Sequence, residues 1–299
     1  MNIGWIGTGV MGASMAGHLL QAGHRLTVFS RTRQKAEPLV SRGATWADTP
    51  KVVAQNSEVC FTMVGYPRDV ESIYLDSNNG ILSTLDSGTV AIDCTTSSPS
   101  LAVRLANIGA ERGVAVLDAP VSGGDVGART AALSIMVGGD EAAFNRVRPL
   151  LEKMGKTIVL HGPAGSGQHT KMVNQILLAN TMVGLAEGLL YARSAKLDPE
   201  RVLASVGVGA AASWSLQNLL PRILKGDLEP GFYVEHFIKD MGIALTEAET
   251  MKIALPGLAV AKQLYQALAG CGAGRKGTQA LILALEAMCG QKALADTPS

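Results

Sequence analysis

The first part of the chain alternates short apolar runs with longer stretches of helical periodicity. The runs read "NIGWIG", "RLTVFS", "EVCFTMV", "TVAIDCT", "VAVLDAP", "LSIMVGG" and "TIVLH". Most are continuously apolar, as strands are when helices cover both faces of a parallel sheet. This alternation predicts an α/β unit with a parallel sheet. After "HGPAGSG" the character changes. No later stretch alternates as a strand does. Apolar positions recur at helical spacing over about 168–195, and the segments beyond read as shorter helices broken at Pro199, Pro221, Pro230, Pro256 and "GCGAGRKG". The expected domains are therefore 1–163 and 164–299, with no internal repeat and no low-complexity segment.

Composition narrows the function classes. Of 299 residues, 47% are hydrophobic and 17% charged, which marks a globular chain with a sizeable core. The formal net charge is +1 and no Lys/Arg block stands out, so no nucleic-acid partner is expected. Cys60, Cys94, Cys271 and Cys289 form no CxxC and no paired spacing, which suits a reducing compartment. The first motif starts within a few residues of Met1 and leaves no room for a cleavable leader. Both observations predict a cytoplasmic protein. The apolar stretch Met172 to Leu190 is interrupted by Asn174, Gln175, Asn180 and Glu187, so it reads as a buried interdomain helix and not a membrane span. His18, His24, His161, His169 and His236 have no metal-ligand spacing, and no G-x-S-x-G is present. Trp46 and Trp214 read as packing residues.

Four stretches carry candidate chemistry. In "GWIGTGVMGASMAGHLL", Gly7, Gly9 and Gly12 form G-x-G-x-x-G between a strand and a helix. Gly7 permits the tight turn, Gly9 lets the backbone approach a pyrophosphate, and Gly12 lets helix and strand pack closely. Val10 and Met11 lie in the same turn, where the helix N-terminus favours anions. At the end of the second strand, Ser30, Arg31 and Thr32 stand where NAD-specific sites place a carboxylate for the ribose. A guanidinium flanked by hydroxyls suits a 2′-phosphate and points to NADP, with NAD as the alternative; a solvated basic helix start would look the same. Ser122, Gly123 and Gly124 offer a hydroxyl and approachable N–H groups for a substrate carboxylate, or merely a flexible turn. Lys171, Asn174 and Gln175 share one face of the long helix. A lysine buried there would need a polar partner and would exchange a proton more readily near neutral pH; a solvent-exposed helix start is the alternative. Asn174 could orient Lys171 or a substrate oxygen. By periodicity alone Lys239 and Asp240 read as a surface ion pair.

Together these stretches resemble the β-hydroxyacid dehydrogenase family over nearly the whole chain. "GWIGTGVMGASMAGHL" resembles its cofactor fingerprint, and "DCTTSSP" its D-x-S-T-x-x-P segment, with Thr95 where Ser is usual. "DAPVSGGDVGA" resembles its substrate signature, "GSGQHTKMVNQ" its G-x-G-x-x-x-K-x-x-N-N, and "FIKDMGIAL" its late K-D motif. The resemblance implies that Lys171 is catalytic and that Ser122, Gly123 and Gly124 hold the substrate carboxylate. Asn174 would support the reacting oxygen, with Gln175 in the place of the family's second Asn. Met63, Val64 and Thr96 would lie at the nicotinamide half and its ribose, and Lys239 would close over the cofactor.

The fold class implied is α/β: an N-terminal Rossmann dinucleotide-binding domain, then an all-α domain, joined by a long interdomain helix. The implied assembly is a homodimer or homotetramer. The expected activity is an NADP-dependent interconversion of a small semialdehyde or 2-oxo acid with the corresponding hydroxy acid. The alternatives are an NAD-dependent 3-hydroxyisobutyrate dehydrogenase and, from another class, a cofactor-binding protein without turnover.

Overall fold

The structure, a computed structural model, describes residues 1–55 and 57–290. The end of the expected helical domain, at 299, lies outside the described residues. The chain divides into two compact units, Met1–Lys171 and Met172–Ser299. The division thus falls inside the long helix, a little beyond the position where the sequence pattern changes.

In the first unit six strands form one parallel sheet. They are β1 (Asn2–Ile6), β2 (Arg25–Phe29), β3 (Thr45–Trp46), β4 (Val59–Thr62), β5 (Val90–Asp93) and β6 (Ala115–Asp118), in the spatial order β3-β2-β1-β4-β5-β6. The order reverses at β1, so the carboxyl ends of β1 and β4 flank the switch point at which such sheets take ligands. Helices α1 (Val10–Gln21), α2 (Glu37–Val40), α3 (Pro50–Ala54), α4 (Pro67–Leu75) and α5 (Pro99–Ala110) make the crossovers. Both faces are covered over β1, β4 and β5, which is why those strands are mostly apolar. Ile3, Trp5, Val28, Phe61 and Ile92 pack with Met15 and Leu19 of α1 on one side. Ile6, Cys60, Ala91, Tyr74 and Leu105 pack on the other. Each large apolar side chain removed from water in this way contributes about 1.5–3 kcal/mol. Ser98 caps α5 by accepting from the Leu101 N–H at 3.2 Å, with Pro99 at its first position.

The last two expected strands leave this sheet. β7 (Val121–Ser122), β8 (Leu133–Val137) and β9 (Gly155–Leu160) form a separate three-stranded sheet in which β7 runs antiparallel to β8. Pro120 stands just after β6 and has no N–H to extend its ladder, so the chain turns there. Helix α6 (Gly124–Arg129) follows β7, and α7 (Glu141–Leu151) joins β8 to β9.

Helix α8 (Ser166–Ser194) starts in the first unit and runs on into the second. The second unit adds α9 (Pro199–Val206), α10 (Trp214–Leu224), α11 (Val234–Met251), α12 (Pro256–Leu268) and α13 (Leu281–Met288), and no strand among the described residues. Pro199 and Pro256 open their helices as expected, but Pro221 sits inside α10. Its missing N–H costs one bond in the last turn, and the helix continues to Leu224. Among the described residues α8 is also the one helix long and apolar enough to cross a membrane by length and composition. Its Met172, Ala179, Met182, Ala186 and Leu189 instead join the core of the second unit, with Phe237, Met241 and Tyr265. The helix is not buried all round: Val173, Leu177 and Tyr191 are exposed. Trp214, expected in the packing, is exposed as well.

Candidate active site

The glycines of the first turn are there for different reasons. Gly7 has φ +97°, and a Cβ on it would run into the Met63 carbonyl. A Cβ on Gly12 would run into the Gly7 carbonyl. Gly12 thus lets α1 pack close to the end of β1, and Gly7 lets the turn lie against the end of β4. Gly9 is unlike them, since a Cβ there would meet nothing within 4 Å. Packing does not demand glycine at this position, and the missing side chain leaves the backbone of the turn open to close approach. Gly9 is the N-cap residue of α1, which has no side-chain cap bond and no acidic residue in its first turn. Its N–H groups and dipole are therefore available to an anion, and the turn fits a dinucleotide. Val10 is exposed beside it, and Met11 packs against the core.

Ser30, Arg31 and Thr32 follow β2. No carboxylate stands on this strand end, yet the fold brings one from α4. Arg31 donates to Asp69 through Nη1 at 3.3 Å and Nη2 at 3.5 Å, with the side chains 76% and 15% exposed. At the next strand ends, Met63 N–H donates to the Ile6 carbonyl at 2.8 Å and Val64 N–H to Thr95 Oγ1 at 3.0 Å. Thr95 N–H donates in turn to Asp93 Oδ1 at 3.0 Å. The departure from Ser at position 95 thus keeps a hydroxyl that ties the β4 and β5 loops together. Thr96 lies between two buried neighbours and is itself half-buried.

The loop at Ser122, Gly123 and Gly124 is held by β7, a strand of only two residues. Val121 pairs with Ile135 and Ser122 with Ser134. Gly123 and Gly124 have φ +129° and +62°, so the loop turns through conformations that favour glycine. His18 Nε2 lies 2.8 Å from the Ala128 carbonyl and links α1 to α6. Lys171 reaches the same loop: its Nζ donates to the Val121 carbonyl at 2.8 Å, and the residue is 7% exposed. The solvent-exposed reading of Lys171 is excluded. The first turn of α8 is fixed by Asp118, at the end of β6. Asp118 Oδ1 accepts from Gly165 N–H at 2.7 Å and Oδ2 from Gln168 N–H at 2.8 Å. Burial pushes its carboxyl above the usual carboxylate range, against the pull of these donors.

In the second unit, Asn174, Gln175, Lys239 and Asp240 form one chain of contacts. Asn174 Nδ2 donates to Gln175 Oε1 at 2.7 Å, and Gln175 Nε2 to Asp240 Oδ2 at 2.5 Å. Lys239 Nζ lies 2.7 Å from Asp240 Oδ1, with side chains only 12% and 2% exposed. This is a buried pair and not the surface pair that periodicity suggests. Burial, with the charge of Lys239 beside it, holds His236 below the usual histidine range. Among the described residues no cluster of three or more His, Cys, Asp or Glu could hold a metal.

Gln168, Asp118, Asp69 and Asp240 escaped the sequence reading as site residues. Gln168 carries a local signal, lying three residues before Lys171 and so on its helix face, and Asp240 another, standing beside Lys239. Asp118 and Asp69 meet their partners from distant segments.

Known proteins place this geometry. Residues 2–162 match the family described as the NAD binding domain of 6-phosphogluconate dehydrogenase. Residues 165–285 match that described as NAD-binding of NADP-dependent 3-hydroxyisobutyrate dehydrogenase. The chain is 53% identical over 284 residues to a probable 3-hydroxyisobutyrate dehydrogenase-like mitochondrial protein of Arabidopsis thaliana, covering 95% of this chain and 85% of that one. It is 39% identical over 292 residues to 2-hydroxy-3-oxopropionate reductase of Escherichia coli, covering 98% and 99%. A solved structure of 3-hydroxyisobutyrate dehydrogenase from Mycobacterium tuberculosis, with L-serine, matches with a TM-score of 0.87 at 28% identity, covering 95% and 98%.

Proposed function

This chain belongs to the β-hydroxyacid dehydrogenase family, as an NAD(P)-dependent enzyme acting on CH–OH groups, and on that premise we propose that it is an NADP-dependent reductase of a small carboxylate-bearing semialdehyde or 2-oxo acid, working reversibly. The observation that carries the proposal is Lys171, buried on α8 with its Nζ on the Val121 carbonyl, next to Ser122. A nicotinamide dinucleotide held at the glycine turn would supply the hydride for the carbonyl carbon, or accept it in oxidation. The Lys171 ammonium gives its proton to the carbonyl oxygen as the C–H bond forms; in oxidation the amine accepts the hydroxyl proton. Ser122, Gly123 and Gly124 fix the carboxylate and so orient the reacting carbon. Asn174 directs its amide nitrogen to Gln175, leaving Oδ1 to accept from the reacting hydroxyl. Gly7, Gly9, Val10, Met11 and Gly12 form the pyrophosphate turn. Ser30, Arg31 and Thr32 would hold the 2′-phosphate, and Met63, Val64, Thr96 and Lys239 are the residues that would contact the rest of the cofactor.

Spectrophotometric NADPH consumption tests this with glyoxylate, succinic semialdehyde, methylmalonate semialdehyde and tartronate semialdehyde. Turnover of at least one is expected, and none with any would refute the proposal. The second reading is an NAD-dependent 3-hydroxyisobutyrate dehydrogenase. The Asp69 carboxylate favours it, since it already faces Arg31. We further propose a cytoplasmic homodimer or homotetramer. Four free cysteines support the compartment. The exposed Val173, Leu177 and Tyr191 of α8 support self-association.

A further inference from the structure

Gln168 has no part in the roles assigned above, yet it is one of the most thoroughly engaged side chains of the first unit. It is 0% exposed. A carboxamide so placed is costly unless both its ends are bonded. Here both are bonded to backbone, and to backbone on either side of a single residue. Nε2 donates to the Thr95 carbonyl at 2.7 Å, and Oε1 accepts from the Ser97 N–H at 3.0 Å. A strand partner would make the same pair of bonds across Thr96. Thr95 and Ser97 are each 1% exposed, whereas Thr96 between them is half-buried. The amide therefore pins the two neighbours and leaves Thr96 as the accessible residue of the strip.

The other side of Gln168 is equally fixed. Its own N–H donates to Asp118 Oδ2 at 2.8 Å. One helical turn later, Lys171 donates to Val121 at 2.8 Å. A single turn of α8 thus binds the Thr95–Ser97 strip through one residue and the substrate loop through the next on the same face.

We propose that Gln168 is a positioning residue, which holds Thr96 and Lys171 at one fixed separation so that the cofactor strip and the proton-transferring ammonium act on the same substrate. The inference rests on the reading of Lys171 as the acid–base group and of Thr96 as a cofactor contact. Gln168→Leu keeps the bulk of the side chain and removes both bonds, leaving the Thr95 carbonyl and the Ser97 N–H without their partner. The strip then shifts relative to α8. A displacement on the order of 1 Å costs up to about 100-fold in rate, so kcat should fall about 10- to 100-fold while substrate KM changes by less than about threefold. Gln168→Glu supplies a finer test. Its carboxylate still accepts from Ser97 but presents a second oxygen to the Thr95 carbonyl. Protonation restores a donor, so reductive kcat of this variant should gain an acid limb in addition to the one that Lys171 gives wild type.

The measurements are kcat and KM across pH for both variants. Two readouts besides turnover accompany them: the NADPH dissociation constant by cofactor fluorescence, and hydrogen exchange at the Ser97 amide in the cofactor-free protein. Faster Ser97 exchange, weaker NADPH binding by severalfold and the fall in kcat are expected together. A folded Gln168→Leu variant with wild-type kcat overturns the proposal, as does a Gln168→Glu variant whose pH profile matches wild type, which decides the matter should the Leu variant not fold. Lys171→Ala run alongside separates the two ideas. If it keeps wild-type turnover, the acid–base reading fails. If it is inactive while Gln168→Leu turns over normally, only the positioning role fails.

Discussion

Replacing Arg31 by Ala measures how the cofactor's 2′ position is read. In the structure the guanidinium is not idle, because Asp69 of α4 accepts from both of its terminal nitrogens at 3.3 and 3.5 Å. These are long bonds on a side chain that is 76% exposed, and such a pair is worth about 0–1 kcal/mol. A 2′-phosphate can take paired, charge-assisted bonds from the same group, worth about 1.5–3 kcal/mol. The gain from NADPH, once the Asp69 pair is given up, is then about 0.5–3 kcal/mol. At 1.4 kcal/mol per decade, Arg31→Ala should raise KM for NADPH about 2- to 140-fold and leave NADH nearly unchanged. Asp69→Asn acts in the opposite direction. It removes a carboxylate that competes for Arg31 and repels the phosphate, so NADPH should bind about two- to fivefold more tightly. The assay is kcat/KM with both cofactors for wild type and the two variants. Equal losses with NADPH and NADH in Arg31→Ala would refute the reasoning, because Arg31 would then support the loop and not read the phosphate. A wild type that uses NADH as well as NADPH would refute it at the outset.

Lys171→Ala should lower kcat by about 100-fold or more, the scale of a lost general acid, with an unchanged NADPH dissociation constant; near-wild-type turnover would remove Lys171 from the chemistry. Ser122→Ala should raise KM for carboxylate-bearing substrates much more than for an aldehyde of similar size without a carboxylate, and equal effects on both would make Ser122 a support of the loop. A thiol reagent applied to the native protein at pH 8 should modify Cys271 and Cys289, which are exposed, and spare Cys60 and Cys94. Burial pushes the Cys60 thiol up to about 12 and raises Cys94 further, so neither offers thiolate at that pH; mass spectrometry of the labelled peptides gives the answer directly.

Much of the fold is legible where burial is two-sided and local. β1, β4 and β5 are runs of apolar residues because helices lie on both faces, and a run of that kind can be read without knowing its neighbours. β3 and β7 have two residues each and carry no period, so only their partners define them. Pro221 looks like a break because its N–H is missing, but near the end of α10 that loss is small enough to be absorbed. Trp214 looks like a packing residue by its type, whereas its position at the start of α10 leaves it exposed. In the candidate site, the glycine turn is legible because its spacing is itself the signal, whereas the spacing around Lys171 leaves a solvent-exposed helix start open and only its burial on α8 decides between the two. Asp69 and Asp118 are not legible, since each meets its partner only after distant segments come together, at separations of 38 and 50 residues for the bonds to Arg31 and Gln168. Asp240 is similar, 65 residues from Gln175.

The exchange of backbone bonds between Asp118 and Gly138 bears on how the protein behaves in concentrated solution. Asp118 N–H donates to the Gly138 carbonyl at 3.1 Å and Gly138 N–H to the Asp118 carbonyl at 2.8 Å. They close the end of β6, the outermost strand on that side of the main sheet. The opposite edge is β3, only two residues long. An open strand edge is a template on which another chain can add, and from there aggregates grow. Here one edge is too short to seed such growth and the other is occupied at its end. Gly138 is the vulnerable point of that arrangement. A side chain there would collide with Asp118 Oδ1 and with the N–H groups of Ser166 and Gly167. Gly138→Val would therefore both uncover the edge and loosen the first turn of α8, so the variant should be lost to insoluble material during expression before any loss of catalysis could be measured.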